Sequence, residues 1–212
     1  MKLPDFPWDE LTPYAERAKQ HPGGLIDLSV GTPVDPTPQF IQEALRSAAN
    51  SPKYPLTAGT PELRTAIKDW AIRELGASGE FGVLPLIGSK ELVAWLPTLL
   101  QSKTLLYPEI AYPTYLVGGL IAQIKVTAVG FDSATWPSAE LAWINSPSNP
   151  TGRISSDQEL NGAINWARNN GVVVSDECYL EFGSTSKPKS ILAFSGGDNR
   201  NLLALHSLSK RS

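Results

Sequence analysis

The sequence predicts an α/β protein built on a mainly parallel sheet with helices on both faces. Three observations carry that reading. From Val83 onward, apolar runs of strand length alternate with segments of helical period, the order that yields parallel strands joined by helical crossovers. Polar residues gather where the runs end, and the carboxyl edge of such a sheet is where ligands bind. The last run, Leu202-Leu203-Ala204-Leu205, is apolar throughout, as a strand covered on both faces must be, and stops in His206-Ser207-Leu208-Ser209-Lys210.

Taken in order, residues 1 to 24 carry prolines at 4, 7, 13 and 22 and the aromatics Phe6, Trp8 and Tyr14, which suits a surface arm better than a regular element. Leu25 to Val30 alternates like a short strand and runs into Gly31-Thr32-Pro33. A helix follows from about Gln39 to Ala49, with Ile41, Ala44, Leu45 and Ala48 on one stripe. Thr60-Pro61-Glu62 opens another by cap, proline and first-turn acid, and Gly76 ends it. Strands are expected at 83–87, 104–107, 125–129, 141–145 and 172–175, before the terminal run. Between them fall helices from Lys90 to Gln101, interrupted by Pro97, from Thr114 to Ala122, and from Ser156 to Asn170. The last has Ser155 with Gln158 as a capping box and Gly171 as its stop.

Composition narrows the function. The 212 residues carry a formal net charge of -3 with 18% charged residues, so neither the basic excess of a nucleic-acid binder nor an acidic tail is present. Cys178 is the single cysteine and His21 and His206 the only histidines, which leaves no disulfide and no metal-ligand cluster. No signal-like leader and no stretch of about 18 apolar residues occurs, so a cytoplasmic protein acting on small molecules, with no membrane and no nucleic-acid partner, is expected.

The strand ends supply chemistry. Gly88-Ser89 at a helix start offers backbone N–H groups and a hydroxyl, and Ser207 another hydroxyl, together a phosphate cradle; taken alone, Ser89 reads more readily as a helix cap. Asp176 at a buried strand end either caps a loop or meets a cation. Asn149 and Tyr179 can donate to one phenolate-like oxygen, and Tyr112 can stack on a planar ring. Lys210 is either a solvated loop lysine or an amine that, once neutral, attacks a carbonyl. Gly31 either turns the chain or admits a ligand to the backbone. Jointly, a phosphate cradle, a ring stacker, phenolate donors, a carboxylate for a ring nitrogen and an amine for an aldehyde describe pyridoxal 5'-phosphate.

Those residues stand in the order Gly31-Thr32-Pro33, Tyr54, Gly59 to Arg64, Gly88-Ser89-Lys90-Glu91, Tyr112-Pro113-Thr114-Tyr115, Ser148-Asn149-Pro150-Thr151-Gly152, Ser175-Asp176-Glu177-Cys178-Tyr179, Ser207-Leu208-Ser209-Lys210. The series resembles the class I/II aminotransferases of fold type I, over essentially the whole chain. Leu3 to Asp9, Leu28 to Asp35, Lys90 to Leu100 and His206 to Arg211 resemble more closely the actinobacterial N-succinyldiaminopimelate aminotransferases. The resemblance implies that Lys210 forms the Schiff base, Asp176 holds the pyridinium N–H, and Asn149 and Tyr179 bond the phenolic oxygen. It implies that Tyr112 stacks on the ring, that Ser89, the Gly88-Ser89-Lys90 backbone and Ser207 hold the phosphate, and that Tyr54 reaches the phosphate of a second subunit in a homodimer. Gly31 would approach the substrate carboxylate. Residues 1–40 would form an N-terminal arm and the start of a small domain, and 41–212 an incomplete large domain that binds the cofactor. Relatives carry a glycine-aspartate pair where Gln101-Ser102-Lys103 stands here, and continue past the lysine with arginines for phosphate and carboxylate, so the C-terminal part of the fold is expected to be absent. Another amino-acid aminotransferase, a carbon-sulfur lyase and a non-catalytic effector-binding module are the competing expectations.

Overall fold

The computed structural model describes residues 3–31, 34–182 and 188–210. The chain divides into two compact units between Ser51 and Pro52.

In the first unit a 3-10 turn, Pro7–Leu11, leads into helix α1, Thr12–Lys19. Two of the prolines that argue against a regular element there, Pro7 and Pro13, sit at the first positions of these elements, where the missing N–H costs nothing and the fixed φ helps. Residues 25–30 form no strand, in contrast to the alternation. The Asp27 carboxylate accepts both the N–H (2.9 Å) and the hydroxyl (2.6 Å) of Ser29, a local turn that competes with extended pairing. Helix α2, Gln39–Ala48, forms as expected.

The second unit holds helix α3, Pro61–Leu75, helix α4, Ser89–Leu99, strand β1, Thr104–Pro108, helix α5, Thr114–Ile121, and strands β2, Lys125–Val129, and β3, Leu141–Asn145. Helix α6, Asp157–Asn169, strand β4, Val172–Asp176, the short helix α7, Ile191–Phe194, and strand β5, Leu202–Leu205, complete it. The five strands form one wholly parallel sheet in the order β2-β1-β3-β4-β5. Side chains alternate between its two faces. Leu106, Ala142, Ile144 and Val173 pack with α3, α6 and α7, while Leu105, Leu141, Trp143 and Val174 pack with α4 and α5. The sheet is therefore covered on both sides, as its apolar strands require.

Several local expectations need correction. Residues 83–87 form no strand and bend at Ile87, which is 99% exposed. Strand propensity makes a strand only where a neighbour completes the backbone ladder, and the described sheet offers that segment none. Pro97 does not interrupt α4, which runs on to Leu99. Its missing N–H would have bonded the Val93 carbonyl, and that oxygen instead lies against α5, 2.8 Å from where a Cβ on Gly118 would stand. The capping box of α6 is Ser156 with Glu159, one residue later than expected: the Ser156 hydroxyl accepts the Glu159 N–H (3.2 Å) and the Glu159 carboxylate accepts the Ser156 N–H (2.8 Å). Ser155 is otherwise engaged, its N–H donating to the Ser146 hydroxyl (2.9 Å). Gly171 serves as a point of close approach rather than a left-handed stop, since a Cβ there would come within 2.4 Å of the Glu140 carbonyl.

Candidate active site

Strand register sets the frame. Asn145, Asp176 and Leu205 stand level across the carboxyl ends of β3, β4 and β5. Asn145 is the polar end of an entirely buried strand, and its side chain ties two neighbours together. Its amide donates to the Asp176 carbonyl (2.8 Å), and its oxygen accepts the Asn149 N–H (2.7 Å), which positions the Asn-Pro-Thr-Gly turn. Peptides Ser146-Pro147 and Asn149-Pro150 are cis.

Asp176 is 7% exposed. Burying a carboxylate is costly unless donors meet it, and two do: the Tyr115 hydroxyl donates to Oδ2 (2.7 Å) and the Cys178 N–H to Oδ1 (3.2 Å). Tyr115 is fully buried, stacked on Trp143 (4.9 Å, 21°) and edge-on to Tyr112 (5.9 Å). Burial, and then the charge of Asp176, push its phenol well above the ordinary range, so it stays a proton donor. Burial and the same carboxylate push the Cys178 thiol up to about 12, which makes it a poor nucleophile. Cys178 Sγ lies 3.7 Å from the Ser89 hydroxyl, bringing the start of α4 to the same place. That helix is capped by Gly88 without a side-chain hydrogen bond, and a Cβ on Gly88 would meet nothing within 4 Å. Ser89 is thus the first helical residue rather than its cap, and no side chain caps the start of α4, the kind of helix end that attracts an anion.

The Lys210 ammonium lies 5.4 Å from the centre of the Tyr179 ring, at the end of a 3-10 turn after β5, Leu208–Lys210. Ser207 and Ser209 bond each other (2.6 Å). The fold therefore gathers Ser89, Tyr112, Asn149, Asp176 and Tyr179, with Lys210 over the Tyr179 ring, at the carboxyl edge. It leaves Lys90 exposed on the first turn of α4 and Tyr54 98% exposed on its loop. Gly31 lies in the other unit, exposed, and Thr32 and Pro33 lie outside the described residues, as does Arg211. Sequence reasoning missed the parts of Asn145 and Tyr115. The signals were there: an amide at the end of a buried run, and tyrosines three apart, one helical turn.

The donor set fits pyridoxal phosphate. Asp176 has about four lone-pair sites and meets two protein donors, so it can accept a further cationic N–H. The α4 start offers room for a phosphate within reach of the same cluster. Among the described residues no group of three or more His, Cys, Asp or Glu stands together as a metal site, and no helix is long and apolar enough to cross a membrane.

A parallel sheet covered by helices, with this edge, is the fold type I transferase architecture. The family model for aminotransferase class I and II matches residues 24–212, and the chain belongs to that family, whose members depend on pyridoxal phosphate. It is 46% identical to the 4-dedimethylamino-4-oxo-anhydrotetracycline transaminase OxyQ of Streptomyces rimosus, over all of this chain and 61% of that protein. It is 48% identical to a probable aminotransferase of Mycobacterium tuberculosis, over 99% of this chain and 52% of the relative. LL-diaminopimelate aminotransferase of Aquifex aeolicus is 32% identical, with 98% and 59% covered. Among solved structures, aminotransferase AspB of Helicobacter pylori superposes with a TM-score of 0.85 at 28% identity, covering all of this chain and 62% of that one. The chain thus spans between about half and three fifths of the length of these relatives.

Proposed function

We propose that the protein is a pyridoxal-phosphate-dependent aminotransferase that moves an amino group between glutamate/2-oxoglutarate and an amino or oxo acid of the diaminopimelate type, N-succinyl-LL-2,6-diaminopimelate. The observation that carries the reaction class is the buried Asp176, braced by Tyr115 and Cys178, within one cluster with Ser89, Tyr112 and Tyr179, beside which lies Lys210. The substrate rests on the resemblance of Lys90 to Leu100 and His206 to Arg211, and is supported by the diaminopimelate aminotransferases among the relatives.

In this reading Lys210 Nζ would hold the cofactor and, once freed as an amine, would take the proton from the substrate's α-carbon and pass it on rather than give it back, which is what separates transamination from racemisation. The bound cofactor supplies an electron sink for that carbon. Asp176 would accept the ring N–H and keep it protonated, with Tyr115 holding the carboxylate in line. Asn149 and Tyr179 donate to the phenolic oxygen, and Tyr112 covers the ring. Ser89, the Gly88-Ser89-Lys90 backbone and Ser207 bind phosphate; Tyr54 completes the phosphate site of a second subunit in a cytoplasmic homodimer, which accounts for its exposure on one chain. Gly31 meets the substrate carboxylate. Residues 1–40 form the arm and the start of the small domain, and 41–212 belong to the large domain.

The test incubates cofactor-loaded protein with glutamate and follows loss of the yellow form, then offers oxo acids in turn. Recovery with N-succinyl-2-amino-6-oxopimelate supports the assignment. Loss of colour with glutamate but recovery only with 4-dedimethylamino-4-oxo-anhydrotetracycline would retain the class and overturn the substrate.

A further inference from the structure

One buried ionisable group takes no part in that scheme. Glu177, next to Asp176, is 2% exposed. Its Oε1 accepts the Ile191 N–H at the start of α7 (2.8 Å), and its Oε2 lies 3.3 Å from His206 Nε2, just beyond β5. Its own N–H donates to the Leu205 carbonyl (2.8 Å). Glu177 therefore binds the end of β5 twice, by backbone to Leu205 and by side chain to the next residue. The His206 ring stands edge-on to Trp70 of α3 (5.1 Å, 85°), so it is held from the other side as well.

We propose that Glu177 and His206 are a positioning pair that fixes the spacing of the two strand ends from which Asp176 on one side, and Ser207 and Lys210 on the other, emerge. The inference rests on the reading of the site given above. Each member is the immediate chain neighbour of a proposed cofactor contact, Asp176 or Ser207, so a shift of the pair moves both. A carboxylate buried this far is expensive unless it is paired, and an apolar residue would pack the same space at no such cost. Its presence is explained by one directional bond, from the Ile191 N–H to Oε1, and an ionic contact with His206 that together fix a distance, which apolar packing does less sharply. Besides His206, the charged group facing Glu177 is Asp176; α7 offers a backbone N–H and α3 the Trp70 ring.

The test is a double-mutant cycle on the purified protein with Glu177→Gln, His206→Phe and both together. The Gln variant keeps an acceptor for the Ile191 N–H, and Phe keeps a ring against Trp70. The readouts are the dissociation constant of pyridoxal phosphate itself and the unfolding midpoint of the cofactor-free protein. Each single change is expected to weaken cofactor binding about tenfold, and the double change no more than the worse single. Unchanged cofactor affinity with a lowered midpoint would make the pair merely structural and overturn the proposal, as would additive effects. If the Phe variant does not fold, Glu177→Gln alone decides by the same affinity criterion. Wild-type protein that takes up no pyridoxal phosphate would overturn the site reading and this inference with it; wild-type binding with unaffected variants would overturn this inference alone.

Discussion

The ends of β4 and β5 lie side by side, yet the protein treats them differently. Asp176 is buried and bonded by Tyr115 and Cys178, and its backbone carbonyl is gripped by Asn145, so its position is set before any ligand arrives. Lys210 sits half-buried on a single 3-10 turn, and the neighbouring hydroxyls of Ser207 and Ser209 bond each other. The contrast is chemical good sense. A carboxylate that must keep one geometry gains from rigid donors, whereas an amine that must attach, detach and carry a proton needs room to move.

The largest effect expected is from Lys210→Ala, which should lower transamination by at least about 10⁴-fold, the scale of losing a general base together with its covalent role. Because Lys210 lies past the held end of β5, on a single 3-10 turn, cofactor-free stability should hardly change; a clear fall in the unfolding midpoint would break the contrast. Asp176→Ala should slow proton abstraction in single turnovers by about 10³-fold, as befits loss of a preorganised charge. Unlike the lysine change, it should also cost roughly 1–3 kcal/mol of cofactor-free stability, since it leaves the Tyr115 hydroxyl buried without its acceptor.

Tyr115→Phe sharpens the comparison further. It removes one donor from a buried carboxylate and should cost about 2 kcal/mol by denaturant unfolding, with a smaller loss of turnover than Asp176→Ala.

These sites also show what was legible in the residues. The parallel sheet, its helical crossovers and the polar residues after β1, β3, β4 and β5 follow from apolar runs and start signals such as Thr60-Pro61-Glu62, whose cap the Thr60 side chain does form with the Leu63 N–H. Residues 83–87 misled because alternation records propensity, while a strand also needs a partner. Leu25 to Val30 misled because one carboxylate, Asp27, satisfied the local backbone first. The bracing of Asp176 by Tyr115 joins residues 61 apart, and no local pattern states such a bond.

A pH effect separates the buried β4 end from its neighbour more gently. Burial raises the Glu177 carboxyl to about 7, so between the ordinary carboxylate range and that value the folded chain holds a proton that the unfolded chain has lost. That contribution to stability is fully present at low pH and fades as pH rises through about 7. Unfolding midpoints measured from pH 5 to 8 should show the decline in wild type and a flatter profile in Glu177→Gln. The smallest effect is expected from Ser207→Ala: cofactor affinity should fall about tenfold through loss of one hydrogen bond to a charged phosphate, with stability within about 0.5 kcal/mol of wild type.

The central claim is that the amine after β5 and the acid ending β4 serve one cofactor, and reduction tests it most directly. Protein incubated with pyridoxal phosphate, treated with borohydride and digested should carry the reduced adduct on the peptide containing Lys210, with Asp176→Ala lowering its yield but not moving it. An adduct on Lys90, Lys189 or another lysine, or none at all, would contradict the account.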